Sequence, residues 1–203
     1  MKTSNQYENL YWDKNQYVIG IDEAGRGPLA GPVVVAGVIF PIGYDSKDIY
    51  DSKKLSLKKR EELYKVILED ALYYNIQIVD EKDVDKYNIY QATKMANERI
   101  VLDSKCQVVL TDAMKLQLEN YTVYPIIKGD QKSCSIAAGS ILAKVTRDHI
   151  MDEYDAIYPQ YGFKKHKGYP TKAHLQALQQ FGPCPIHRFS YGPVMESNQL
   201  RLF

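Results

Sequence analysis

The stretch Val18–Pro32, VIGIDEAGRGPLAGP, limits what this chain can fold into more than any other. The apolar run Val18–Ile21 reads as a buried strand, and it delivers two acids side by side, Asp22 and Glu23. Adjacent carboxylates at the end of a buried strand repel one another and shift each other's pKa. A divalent cation relieves that repulsion, and hard cations such as magnesium prefer carboxylate oxygens. Gly25-Arg26-Gly27 follows at once. Glycines let backbone approach a ligand that side chains would hold off. Carboxylates suited to a metal, beside an arginine and bare backbone, point to a phosphate ester. A strand-end turn with surface acids would account for the acid pair alone, but less well for the bracketed arginine.

Residues 1–16 are polar and read as a weakly ordered lead-in. After Tyr17–Asp22, the valine-rich run Pro32–Phe40 fits a second core strand. Ser56 caps a helical pattern with Leu63, Val66, Ile67 and Leu72 on one side. Further strands are expected at 75–79, 107–110 and 122–127, and helices at 87–102, 132 to about 154, and 171–180. Strands followed by crossover helices give an α/β domain with a mixed central sheet flanked by helices and a helical C-terminal part.

At 203 residues one domain is expected, placed at 17–194, with 195–203 as a C-terminal tail. The formal net charge of +1 announces no global basic field, so nucleic-acid binding would need local patches. Cys106, Cys134 and Cys184 show no zinc spacing and read as idle thiols in a reducing compartment. No apolar leader and no membrane-spanning run is seen, so a cytoplasmic, monomeric protein is expected.

Two more strands end in acids: the strand at 107–110 stops at Thr111-Asp112, and that at 122–127 stops at Lys128-Gly129-Asp130. Sites in open α/β sheets collect at the carboxyl ends of strands. Asp22, Glu23, Asp112 and Asp130 could together hold two cations about 3.5–4 Å apart, suited to in-line displacement at phosphorus. Asp130 could instead cap the following helix. Asp148 competes for the fourth position, but an unbroken helix from about residue 131 sets it about 27 Å along the axis from Asp130. Asp148 is therefore expected to pair with helix neighbours.

These segments resemble bacterial ribonuclease HII. The motifs are IDEAGRGPLAGPVV, DSKKLSLKKREEL, YNIYQAT, TDAM, IKGDQKSCSIAAGSILAKVTRD and YPQYGFKKHKGY, collinear over roughly 17–194. The resemblance implies the ribonuclease H-like fold. It implies hydrolysis of the RNA strand of RNA/DNA hybrids and nicking of duplex DNA 5′ of an embedded ribonucleotide, leaving 3′-hydroxyl and 5′-phosphate ends. Magnesium or manganese is the implied cofactor, with Asp22, Glu23, Asp112 and Asp130 as ligands. Gly25, Arg26 and Gly27 are the implied readers of the 2′-hydroxyl and adjacent phosphate, Tyr169 their partner, and Ser52, Lys53 and Lys54 a phosphate-contacting segment. The related ribonuclease HIII carries a lysine in the GRG motif and an N-terminal extra domain; Arg26 and the short lead-in argue against it. Gly139 departs from the more usual alanine and should cost the helix a little.

A 2′-hydroxyl is both donor and acceptor, and it is what distinguishes RNA from DNA at a site. Backbone at Gly25 and Gly27 and the phenol of Tyr169 are chemically suited to it. Lys164, Lys165, His166 and Lys167, beside Tyr169, read as a phosphate-tracking patch. Three other functions stay open at this point. Ribonucleotide-dependent nicking separates ribonuclease HII from another metal-dependent nuclease of the same fold. The full set of four acids speaks against a silent nucleic-acid-binding module. Competition by ribonucleotide-containing duplex would exclude a small-molecule phosphatase. The last residues, Gln199-Leu200-Arg201-Leu202-Phe203, are similar to the short peptide by which bacterial replication and repair proteins dock on the DNA sliding clamp.

Overall fold

The computed structural model describes residues 3, 5–45 and 48–199. Five strands form one mixed sheet: β1 (Ile19–Ala24), β2 (Val33–Ile39), β3 (Tyr73–Val79), β4 (Val108–Asp112) and β5 (Thr122–Ile126), in the order β3-β2-β1-β4-β5. β1 pairs antiparallel with β2, and β2 with β3. β1 pairs in parallel with β4, and β4 with β5. Val33–Ile39 is buried along its whole length, as its unbroken apolar run predicts for a strand covered on both faces.

The helices are α1 (Gln6–Trp12), α2 (Leu57–Asp70), α3 (Glu81–Tyr87), α4 (Ile89–Ser104), α5 (Cys134–Ile157), α6 (Phe163–His166), α7 (Lys172–Phe181) and α8 (Gly192–Gln199). α5 and α2 cover one face of the sheet, in a core of Val34, Val38, Leu110, Ile136 and Ile141. α4 covers the other, through Ala96 and Ile100 against Ile19, Ile21 and Val35. Gly139 lets α5 cross the sheet backbone to backbone: a Cβ there would lie 2.6 Å from the Ala36 carbonyl oxygen and 3.2 Å from the Asp22 nitrogen. The expected helix cost at Gly139 is thus outweighed by contact with the strand that carries the acids.

Three expectations need correction. Within the N-terminal lead-in Gln6–Trp12 is folded as α1, because that helix has a socket. Glu8 is fully buried and accepts from Ser133 Oγ (2.5 Å) and the Ser135 N–H (3.0 Å) at the start of α5, while Trp12 enters the core. The helix expected at 87–102 starts only at Ile89, and a separate short helix that the sequence did not suggest, α3, runs up to Tyr87. Asn88 has φ 61° between them, and its side chain caps α4 by accepting from the Tyr90 and Gln91 amides. The tail does not begin at 195: residues 195–199 continue α8, with Val194 fully buried and Ser197 Oγ donating to the Leu178 carbonyl (2.8 Å). Leu200–Phe203 lie outside the described residues. No helix among the described residues is long and apolar enough to cross a membrane.

Candidate active site

The register brings the strand-end acids to one edge. Ile21 faces Thr111 across the β1–β4 pair, so Asp22 and Asp112 leave the sheet side by side. Asp112 faces Ile126 on β5, and Asp130 follows in a 3₁₀ turn, Gly129–Gln131. Asp130 does not cap α5: Ser133 does, accepting from the Ile136 amide at 3.1 Å. Asp130 is instead buried, 3% exposed. Asp148 pairs with Lys144 one turn away on α5 (2.5 Å), as a helix neighbour should.

A cleft of about 470 Å³ is lined by Asp22, Glu23, Gly25, Arg26, Gly27, Ser52, Lys53, Asp112, Ser140, Lys144 and Tyr169, with Ala24. It thus gathers most of the residues singled out in the sequence. Asp130 and Lys54 are not among its lining residues; Lys54 lies against the ring and hydroxyl of Tyr50. Ser52 is buried and meets Ser140 Oγ at 3.0 Å, tying its turn to α5.

The electrostatics are those of crowded, desolvated carboxylates. Burial, then Glu23 and Asp112, push the Asp22 carboxyl well above the usual range. Burial also raises Glu23, opposed by Arg26, whose Nη1 lies 3.2 Å from Glu23 Oε1. Burial, then Asp51 and Asp112, raise Asp130. Such a cluster suits a divalent cation, which would offset the desolvation and the mutual repulsion together. Among the described residues no three acidic, histidine or cysteine side chains converge as a ligand set. Three of the four carboxylates are turned to a local donor: Asp22 Oδ1 to the Glu23 amide (2.7 Å), Asp112 Oδ1 to the Gly129 amide (2.8 Å), Glu23 to Arg26.

Two fully buried arginines hold the GRG loop and the segment that follows it. Arg188 donates through Nε and Nη2 to the Gly31 carbonyl (3.0 and 2.8 Å), through Nη2 to Gly25 (2.6 Å) and through Nη1 to Arg26 (3.0 Å). Arg147 donates to the carbonyls of Pro32 (2.9 Å), Lys167 (3.0 Å) and Ala30 (3.2 Å). A trans peptide sets its N–H opposite its C=O. With the Gly25 and Arg26 carbonyls turned onto Arg188, the Arg26 and Gly27 amides face away from it. Gly25 makes this possible: its φ is 99°, and a Cβ would lie 2.1 Å from Arg147 Nε. The Tyr169 ring lies over Gly27, where a Cβ would sit 3.6 Å from Cε1.

The sequence reading missed Arg147, Arg188, Asp51, Ser140 and Lys144. A buried cation and a surface cation look alike in a sequence, and these serve through folded neighbours. Lys167 corrects another expectation. Its ammonium is spent on the Asp148 carbonyl (3.1 Å) and the Asp152 carboxylate, so it is no free phosphate contact. Lys164 and Lys165 are exposed but line a different hollow, with Asp155 and Gln160.

A family model described as Ribonuclease HII matches residues 19–194. The ribonuclease HII of Ruminiclostridium cellulolyticum is 54% identical over 177 residues, spanning 86% of this chain and 69% of that protein. Among solved structures, the ribonuclease H2 of Pyrococcus horikoshii shares the fold at TM-score 0.75 and 24% identity, over 91% of this chain and 98% of that one. The PCNA:RNase HII complex of Archaeoglobus fulgidus matches at TM-score 0.74 and 26% identity, over 86% and 95%. Strand-end acids beside a clamped GRG loop are thus found in a chain whose sequence matches over most of its length, and this chain belongs to the ribonuclease HII family, metal-dependent hydrolases of the RNA strand in RNA/DNA hybrids.

Proposed function

We propose that this enzyme also nicks duplex DNA on the 5′ side of a single embedded ribonucleotide, by metal-assisted hydrolysis. The observation that carries the reading is the shared cleft: Asp22, Glu23 and Asp112 line it together with Arg26, Gly27 and Tyr169, and the Gly25 and Arg26 carbonyls are turned onto Arg188, which leaves the Arg26 and Gly27 amides free of it. Asp22, Glu23, Asp112 and Asp130 would hold Mg²⁺ or Mn²⁺, two ions being the number four carboxylates suit. Bound there, the metal supplies water activation and stabilisation of the leaving oxygen. The carboxylates must swing from their present donors to do so.

In this reading the Arg26 and Gly27 amides, with Tyr169, hold the ribose, and Lys53 and Arg26 hold the flanking phosphates. Water adds its oxygen to phosphorus, the P–O3′ bond breaks, and the 3′ oxygen takes a proton. The test is a labelled duplex with one ribonucleotide, incubated with Mg²⁺, Mn²⁺ or a chelator. A single nick 5′ of the ribonucleotide, lost on chelation, is expected. Equal cutting of an all-deoxy duplex would refute the reading.

Clamp docking through Gln199–Phe203 is a second proposal. It is favoured by the likeness to the Archaeoglobus protein solved with PCNA and by the peptide similarity. A form truncated after Asn198 should lose clamp binding in a fluorescence titration and keep its nicking of naked DNA. A large fall in melting temperature would instead place the tail in the core.

A further inference from the structure

Tyr169 stands half exposed on the cleft, yet its backbone is held by a cluster of imidazoles that the reaction does not use, two of them, His174 and His187, fully buried. Its carbonyl accepts from the Thr171 amide (2.8 Å) and lies 3.0 Å from His174 Nδ1. A carbonyl can only accept, so His174 carries its proton on Nδ1 and leaves Nε2 bare. His174 Nε2 lies 3.1 Å from His187 Nε2, so His187 is the donor there. That leaves His187 Nδ1 bare, and it accepts from the Cys184 amide at 2.9 Å, with Cys184 Sγ 3.1 Å away; the Cys184 carbonyl, 3.3 Å from Nδ1, is the longer contact and already accepts from the His187 amide (2.9 Å). On the other side of Tyr169, His166 Nδ1 accepts from the Gly168 amide (3.2 Å), so its Nε2 donates to the Tyr161 carbonyl (2.8 Å). The His166 and His174 rings stack, centroids 4.6 Å apart and 15° from parallel. Phe163 packs edge-on against both.

We propose that His166 and His174, backed by His187, are positioning residues for ribose recognition, fixing the Gly168–Tyr169 backbone as neutral imidazoles of one tautomer each. This rests on the reading of Tyr169 as the ribose contact. An extra proton on His174 or His187 would set two N–H groups face to face across 3.1 Å. Burial holds both imidazoles down to about 4 and the Cys184 thiol up to about 11, which keeps the chain in this form at neutral pH. The phenol gains its accuracy from this support, since small displacements at a recognition group are costly.

The test is a double-mutant cycle on full-length protein. His174→Phe keeps the stack and removes the donor; His174→Asn returns a donor near the Nδ1 position. On a duplex with one ribonucleotide, His174→Phe should lower kcat/KM about tenfold, the worth of roughly one buried hydrogen bond. Binding to all-deoxy duplex should be unchanged, and His174→Asn should recover most of the loss. In a Tyr169→Ala background His174→Phe should add nothing. Additive losses would overturn the proposal and make the cluster a plain core. If Tyr169→Ala leaves ribonucleotide-dependent cleavage intact, the reading of Tyr169 fails and the proposal falls with it, a distinct result. Should His174→Phe not fold, ¹⁵N spectra of the unmodified enzyme decide. Protons on Nδ1 of His174 and on Nε2 of His166 and His187 are expected at neutral pH, and any other pattern overturns the proposal.

Discussion

Replacing Arg188 by methionine tests whether the GRG loop is held from below. The guanidinium makes five hydrogen bonds, four to the carbonyls of Gly31, Gly25 and Arg26 and one to the Tyr191 hydroxyl (3.2 Å). Arg26 keeps a second donor, the Tyr191 hydroxyl at 2.9 Å. Gly25 and Gly31 lose their side-chain donors. An orphaned buried polar group costs about 1–3 kcal/mol, so two cost about 2–6. Relief from burying an arginine charge that makes no ion pair among the described residues offsets part of this. We expect a net loss of about 2–4 kcal/mol and a fall of roughly 5–15 °C in melting temperature. The folded fraction at 20 °C then stays high enough for kinetics. With the carbonyls released, the Arg26 and Gly27 amides lose their fixed direction, and kcat/KM for ribonucleotide-dependent nicking should fall at least tenfold. Arg188→Lys, a point charge without the planar fork, should fall between. Urea denaturation and single-turnover nicking measure the two effects separately. A methionine variant that is destabilised but nicks at the normal rate would refute the link from clamp to amides.

Asp22→Asn, Glu23→Gln, Asp112→Asn and Asp130→Asn should each reduce cleavage at least a hundredfold. Full activity in Asp130→Asn with loss in Asp148→Asn would reverse that assignment. Without added metal, Asp22→Asn should melt higher than the unmodified enzyme, by a few °C, because it removes a desolvated like charge; a lower melting point would contradict the repulsion. Gly139→Ala should destabilise by about 1–3 kcal/mol despite alanine's better helix propensity, since its Cβ meets backbone on β1 and β2, and a raised melting temperature would dispose of the close-approach argument. Stability should fall as pH drops from 6.5 to about 4, where the unfolded chain binds protons that His174 and His187 refuse, by about 3 kcal/mol per imidazole at most. Glu8 and Asp22, raised by burial, act with the opposite sign from about pH 4 upward, so the histidine part is read as the difference between the unmodified enzyme and His174→Phe. Parallel urea profiles of the two across that range would exclude it.

What was legible in the sequence was what repeats locally. The apolar run into Asp22-Glu23 predicts β1 and its cargo of charge, and the same pattern recurs at Asp112 and Asp130. Ser56 and Thr171 cap α2 and α7 as their positions suggest. What stayed hidden depended on partners far along the chain. Glu8 looks like a surface acid until Ser133 and Ser135 meet it. α3 is polar with little apolar rhythm, although Asp80 gives it a proper cap on the Asp83 amide. Lys167 looks free until Asp152 reaches it. Arg147 and Arg188 gave no sign of burial, since their partners are backbone carbonyls, which no side-chain pattern records.

The docking of α1 has a consequence for the order of assembly. The ribosome makes Glu8 early, but its Ser133 partner emerges 125 residues later. Until then the helix, seven residues long, has nothing to hold it, and a helix that short does not persist alone in water. A segment made well before its partner is therefore among the last to settle. It closes over the start of α5, whose later turns carry Ser140 and Lys144 along the cleft. Fusions joined directly to residue 5 would compete with this closure, whereas a spacer before Thr3 leaves it room.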